Sequence, residues 1–231
     1  MLKGDIVVPH DNEEDLVVRA QEIGYDFLLL LYSKDKRPNT LVLQKLKDKY
    51  KIKLHIGIIV RIEKSNQIRS LPGNKIVLAR STGTERSNDL ILSSRLVDLT
   101  TDLSPAVGRE HTHYRRTGVT QVHAKQAKES EIAYVVDFAR LLALDGGKRL
   151  SLFGRLAQNV RVFHKYKVPI VFASLATDIF GMRAPKDFLA MARTMGIEDT
   201  AVVGKTLHKT IKAKEDRAAG RIAAPGVRIK S

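Results

Sequence analysis

The stretch FLLLLY, residues 27–32, has no polar side chain before its closing tyrosine. A strand with one face in water alternates apolar and polar residues. A strand covered on both faces reads as a continuous apolar run. IGIIV at 56–60 and IVFA at 170–173 have the same character. Such strands belong to a parallel sheet wrapped by helices.

The same reading predicts seven strands: Ile6–Pro9, Phe27–Tyr32, Leu54–Val60, Ile76–Ala79, Leu96–Leu99, Val119–Val122 and Ile170–Ala173. Helix signals fall between them. DNEEDLVVRAQEIG (11–24) opens with acids, stripes Leu16, Ala20 and Ile23, and stops at a glycine. RPNTLVLQKLKDKYK (37–51) sets Leu43, Leu46 and Tyr50 on one side. SEIAYVVDFARLLAL (130–144) places Ile132, Val135, Val136, Ala139 and Leu142 at helical spacing behind Ser130. KRLSLFGRLAQNVRVFHKYK (148–167) is a long helix that ends before Pro169. APKDFLAMARTMG (184–196) has Pro185 in its first turn and Gly196 as its stop. TAVVG (200–204) fits an eighth strand or part of a helix pair. The alternation and the length of 231 residues favour an α/β, TIM-like barrel of seven or eight strands over an open doubly wound sheet. The barrel is expected over 1–212, with a basic tail over 213–231.

The chain carries 40 Lys and Arg against 25 Asp and Glu, a net +15. Charge of this sign and size points to a polyanion, most often nucleic acid. It is uneven: residues 1–50 hold 8 basic and 9 acidic side chains, so the excess lies in the rest. There is no cysteine, which excludes disulfides, thiolate metal sites and cysteine nucleophiles. The N-terminal stretch MLKGDIVVPHDNEED turns acidic too soon for a secretory signal. FLLLLY falls far short of the ~20 residues of a membrane span. A cytoplasmic protein without membrane contact is expected.

Barrel sites lie at the C-terminal ends of strands. There the sequence places Arg61, Arg80, Arg86, His123, Lys125 and Arg183. An acid–base or metal-dependent hydrolase needs converging carboxylates and histidines. Only scattered acids are available, such as Asp98, Asp102 and Asp178. Guanidinium groups suit phosphate, because their planar fork bonds two oxygens and stays charged. GREHTHYRRTGVTQVHAKQ, residues 108–126, has three histidines and four basic residues against one acid. HTH splays its imidazoles if extended, so a polar loop with a histidine bonded to a neighbour or to a phosphate is preferred over a metal site. Tyr114, Arg115 and Arg116 offer stacking and pairing groups for RNA. STGTERS lacks the spacing of either phosphate-loop motif. With no tryptophan, recognition by backbone and shape is favoured over an aromatic ladder.

The run RVFHKYKVPIVFASLATDIFGMRAPKDFLAMARTMGIEDTAVVGKTLHKTI (161–211) resembles the ribonuclease P protein component 3 family. The matching positions are Lys165–Pro169, Ser174, Arg183, Pro185, Asp187, Gly196 and Lys209–Ile211. Upstream, Asp5, EIGYDFLLL, Glu110–Thr112 and Gly118 are similar too. The resemblance implies a distorted barrel related to the polymerase and histidinol phosphatase type. It implies no catalytic residues and no cofactor in this chain, since the RNA subunit, which needs Mg2+, does the cleavage. The implied partners are the ribonuclease P RNA, a small component 2 subunit and, through the complex, precursor tRNA. In a eukaryote the implied location is nuclear or nucleolar. The candidate RNA contacts are Arg61, Arg80, Arg86, His111, Arg116, Lys125, Arg149, Arg183 and Lys209. The rival reading is a metal-dependent phosphoesterase of the same superfamily. Such enzymes carry HxH after the first strand, where this chain reads PHDN, leaving His10 without its partner.

Overall fold

The computed structural model describes residues 2–36, 38–105, 117–224 and 227–228. Seven strands form one sheet in sequence order, all neighbours parallel. They are β1 (Gly4–Val7), β2 (Phe27–Ser33), β3 (Lys53–Ile62), β4 (Ile76–Ser81), β5 (Leu99–Thr101), β6 (Ala133–Asp137) and β7 (Ile170–Ala173). The sheet curls until its edges meet. Val7 bridges Ala176 just past β7, and the Val8 N–H donates to the Ala176 carbonyl at 2.8 Å. The Asp5 carboxylate fastens the same seam to Ser174. The result is a TIM-like barrel of seven strands.

The pleat sorts the apolar runs into two layers, as the sequence predicts. Phe27, Leu29 and Leu31 of β2 fill the barrel with Ile6, Leu78, Val135 and Val171. Leu28, Leu30 and Tyr32 face outward onto α1 (Glu13–Glu22) and α2 (Thr40–Lys49). The remaining outer layers rest on α3 (Ser65–Arg69), α4 (Glu85–Leu92), α5 (Gln121–Glu129), α6 (Phe138–Leu142), α7 (Gly146–Lys165) and α8 (Pro185–Thr194). At about 25 cal/mol per Å2 this two-layered apolar burial is the main source of stability.

The structure corrects the sequence reading between residues 119 and 144. The sixth strand is β6, inside the stretch expected to be helical, and Val119–Val122 instead leads into α5. Ala133 and Val135 point into the barrel while Tyr134 and Val136 face the helices. A strand buried on both sides leaves no alternation, so its apolar residues matched a helical stripe by coincidence. The β-branched and aromatic content of AYVV is the signal that favours the strand. At α5, the Thr120 hydroxyl accepts from the His123 N–H (3.3 Å) and His123 Nδ1 accepts from the Thr120 N–H (3.2 Å). That reciprocal cap starts a helix.

TAVVG is not an eighth strand. Thr200–Val203 form a 3-10 turn, followed by α9 (Lys205–Ala218). Gly204 links them at φ +130, with Gly4 and Leu2 backbone so close that a Cβ would collide. The expected tail boundary at 212 falls inside α9, which runs to Ala218 before a two-stranded hairpin (Ile222–Ala224, Val227–Arg228). α9 covers the N-terminal end of the barrel. Leu207 and Ile211 join the interior cluster. Lys214 pairs with buried Asp98 at 3.1 Å, and Glu215 meets His55 of β3 at 3.0 Å.

Candidate nucleic-acid interface

With one end covered by α9, the mouth lies at the C-terminal ends of the strands. Arg61 of β3 and Arg80 of β4 are register partners there. Both share the inward parity of their strands. Arg80 reaches across and donates to the Asp137 carboxylate at the end of β6 (3.2 Å), while its Nε lies 4.0 Å from Asp102. Asp102 also accepts from Arg140 of α6 at 3.0 Å. Asp137 Oδ1 caps α6 by accepting the Arg140 N–H at 3.0 Å. Two carboxylates and two guanidiniums thus interlock over the barrel interior. Burial and the neighbouring Asp102 charge push the Asp137 carboxyl up to about 6, against the pull of Arg80. Asp102 sits at φ +61, a conformation that costs energy for a non-glycine residue and that its two arginines help to hold.

Arg61 is different. Its side chain is 67% exposed and, among the described residues, pairs with Glu63 at 3.3 Å. Arg86 stands exposed in the first turn of α4, with no ion pair among the described residues. Both stand at the mouth as exposed cations.

The other predicted residues divide by location. The Arg149 guanidinium donates to the carbonyls of Leu141 (3.0 Å) and Leu144 (2.6 Å), so it finishes α6 while remaining half-exposed. Arg183 donates to the Phe180 and Met182 carbonyls at 2.7 and 2.8 Å and lies over the Phe138 ring at 5.3 Å. Lys125 lies on the exposed face of α5 and not at the end of a strand. His123 is spent on its cap and on Asp89, 3.0 Å from Nε2. Lys209 is exposed on α9, at the opposite end of the barrel from Arg61 and Arg80. His111 and Arg116 lie outside the described residues.

A buried polar clamp lies beside the mouth, and no sequence motif announces it. Asn88 of α4 donates from one amide to the carbonyls of Leu103 (3.0 Å) and Gly118 (2.7 Å). Asn159 of α7 donates to Ser104 Oγ (2.9 Å) and the Thr117 carbonyl (3.2 Å). Ser104 itself donates to the Thr117 carbonyl at 2.7 Å, and Arg155 to that of Pro105 at 2.7 Å. Residues 103–105 and 117–118, which flank residues 106–116, are therefore tied together by side chains from two helices. Those intervening residues hold Arg109, Arg115 and Arg116.

Among the described residues no group of three or more His, Asp or Glu side chains is placed to hold a metal. His10 Nδ1 is 3.1 Å from the carbonyl of its own neighbour Val8. Asp102 and Asp137 are occupied by arginines. No helix among the described residues is long and apolar enough to cross a membrane.

Fold and mouth together define a TIM-like α/β barrel whose mouth carries exposed arginines and whose acids Asp102 and Asp137 are salt-bridged to Arg80 and Arg140. The chain belongs to the RNase P subunit p30 family, whose match spans residues 4–218. It is 27% identical over 198 residues to ribonuclease P protein component 3 of Methanosarcina barkeri, covering 80% of this chain and 75% of that one. The fold is similar to a chain in the cryo-EM structure of archaeal ribonuclease P with mature tRNA, at TM-score 0.80, 21% identity and 98% coverage of both chains. It is also similar to a Xaa-Pro dipeptidase, at TM-score 0.62 and 10% identity, covering 93% of this chain and 75% of that one. That second likeness is one of fold.

Proposed function

We propose that this chain is a protein subunit of ribonuclease P that binds the enzyme's RNA through the cationic end of its barrel. The RNA, with its Mg2+, removes the 5′ leader from precursor tRNA. The observation that carries this reading is the filling of the mouth. A barrel hydrolase keeps open acids and histidines where a substrate reacts. Here Arg80 and Arg140 engage Asp137 and Asp102, and Arg61 and Arg86 project beyond them. Exposed arginines on a phosphate backbone release counterions, which gives strong and salt-dependent binding. The family membership and the component 3 relatives support the same assignment. The rival phosphoesterase is disfavoured by the arginine-bound acids and by PHDN, which gives His10 no second histidine two residues on.

His111, Arg116 and Lys125 belong to the proposed contact set with Arg61 and Arg86. Arg80, Arg149 and Arg183 contribute field and shape more than free contacts, because their guanidiniums already serve protein acceptors. A small component 2 subunit is the proposed protein partner, and the cytoplasm the proposed compartment. The test is reconstitution with the cognate RNA and the other protein subunits, scored as leader removal. Omission of this chain is expected to lower turnover. Equal turnover without it would refute the proposal.

A further inference from the structure

We infer that the barrel carries a second, independent RNA-binding face at its N-terminal end, built on the exposed lysines of α9, so that one chain bridges two RNA segments. The inference rests on the proposed function for the nature of the ligand, and on the following geometry for the rest. Lys205, Lys209 and Lys212 occur at i, i+4 and i+7, which sets them on one face of α9. All three are exposed, and none has an ion-pair partner among the described residues. Lys53, exposed at the start of β3, joins them. Two of these lysines, Lys212 and Lys53, stand near His208, whose pKa is lowered by burial and by the charges of His55, Lys212 and Lys53 against the pull of Glu215. Of the acids nearby, Glu215 meets His55, Asp98 Lys214 and Asp216 Arg221, while Asp26, next to Lys53, accepts the Lys3 N–H at 2.7 Å.

The two faces cannot act as one. Lys53 and Arg61 lie near opposite ends of β3. Eight residue steps at about 3.3 Å separate them by roughly 26 Å. That is about three Debye lengths at physiological salt, so neither patch's field reaches the other through solvent. Between them lies a filled barrel, Leu29, Leu31, Leu78 and Val135 being completely buried. A phosphate backbone lying on Arg61 and Arg86 therefore leaves the α9 lysines free for another segment.

The experiment uses the full chain and two copies of one short RNA hairpin, one carrying an energy-transfer donor and the other an acceptor. With RNA in excess, the wild type is expected to give transfer. The triple variant Lys205→Gln, Lys209→Gln, Lys212→Gln is expected to bind one hairpin and lose the transfer. So is the double variant Arg61→Gln, Arg86→Gln. Each variant retains the salt dependence of its intact face only. Unchanged transfer in the lysine variant overturns the inference, as does a wild type that never takes more than one hairpin. If the lysine variant bridges RNA normally but fails to assemble with the other ribonuclease P proteins, the face belongs to a protein and the inference is wrong. A wild type that binds no hairpin overturns this inference and the proposed function together; the other outcomes leave the proposed function standing.

Discussion

The Asp5 carboxylate closes the barrel on Ser174: Oδ1 accepts the Ser174 N–H at 2.7 Å and Oδ2 accepts its hydroxyl at 2.6 Å. β1 and β7 do not pair as a ladder, so this side chain takes the place of missing backbone bonds. Asp5→Ala takes this acceptor from the buried Ser174 N–H and leaves the hydroxyl only the longer contact to the Ile6 carbonyl at 3.3 Å. A loss of about 2–5 kcal/mol in urea unfolding is expected, because unmade buried bonds cost their full desolvation.

The same carboxylate makes stability depend on pH. Burial lifts Asp5 from 3.8 to about 6 in spite of its Ser174 and Ile6 bonds. The folded chain therefore holds this proton more tightly than the unfolded one. The resulting contribution is complete below the unfolded value of 3.8 and is lost as pH rises through about 6. Asp137 acts in the same direction over the same window. Asn at position 5 cannot titrate. The stability of Asp5→Asn relative to wild type should rise between about pH 4 and 6, read from urea midpoints at each pH. A constant difference would show that the seam does not hold a proton in this range.

Arg61 and Arg80 are neighbours in register with opposite expected behaviour. Arg61→Gln removes an exposed cation in a surface pair with Glu63, so stability should change by no more than about 0.5 kcal/mol. The slope of log affinity for RNA against log salt should fall by about 1. Arg80→Gln leaves buried Asp137 without its guanidinium and is expected to cost about 1–3 kcal/mol. Thermal melts and salt titrations of the two variants separate the roles.

Arg149 is tested by keeping its charge. Arg149→Lys retains the cation but loses the planar fork that meets the Leu141 and Leu144 carbonyls. A drop of about 1 kcal/mol in stability, with RNA affinity nearly unchanged, is expected from a group that finishes α6. A fall in affinity without a fall in stability would make it a direct contact instead.

Asn88 offers a sharper case. One buried amide serves two carbonyls, and Gly118 approaches the Leu103 carbonyl so closely that a Cβ would lie 2.2 Å from it. Asn88→Ala should cost about 2–4 kcal/mol and speed hydrogen exchange of the amides at 118 and 119. Unaltered exchange there would show that the clamp is redundant.

What the sequence revealed follows from what packing requires of each residue. FLLLLY, IGIIV and IVFA announced a parallel sheet because both of their faces meet protein. AYVV was misplaced for the same reason, since a strand without alternation leaves periodicity nothing to measure. The arginines at strand ends were legible as a set, but their engagements were not. That Arg80 turns inward to Asp137 while Arg61 stays exposed beside Glu63 depends on β6 lying across the barrel, in a stretch whose apolar spacing predicts a helix. Lys209 could be recognised as basic but not as belonging to the opposite end, which is fixed by the turn at Gly204. Asn88 and Asn159 gave no signal, because an amide in an amphipathic helix looks the same whether it faces water or a buried carbonyl.

The central claim is that this barrel binds RNA and leaves bond cleavage to it. The direct measurement is a titration of labelled ribonuclease P RNA with the isolated chain at several salt concentrations, with hydrolysis of the RNA and of simple phosphate esters followed in parallel. Saturable binding that weakens steeply with salt, without hydrolysis by the chain, is predicted. Indifference to RNA at modest ionic strength, together with unaided hydrolysis of a phosphate ester, would contradict it.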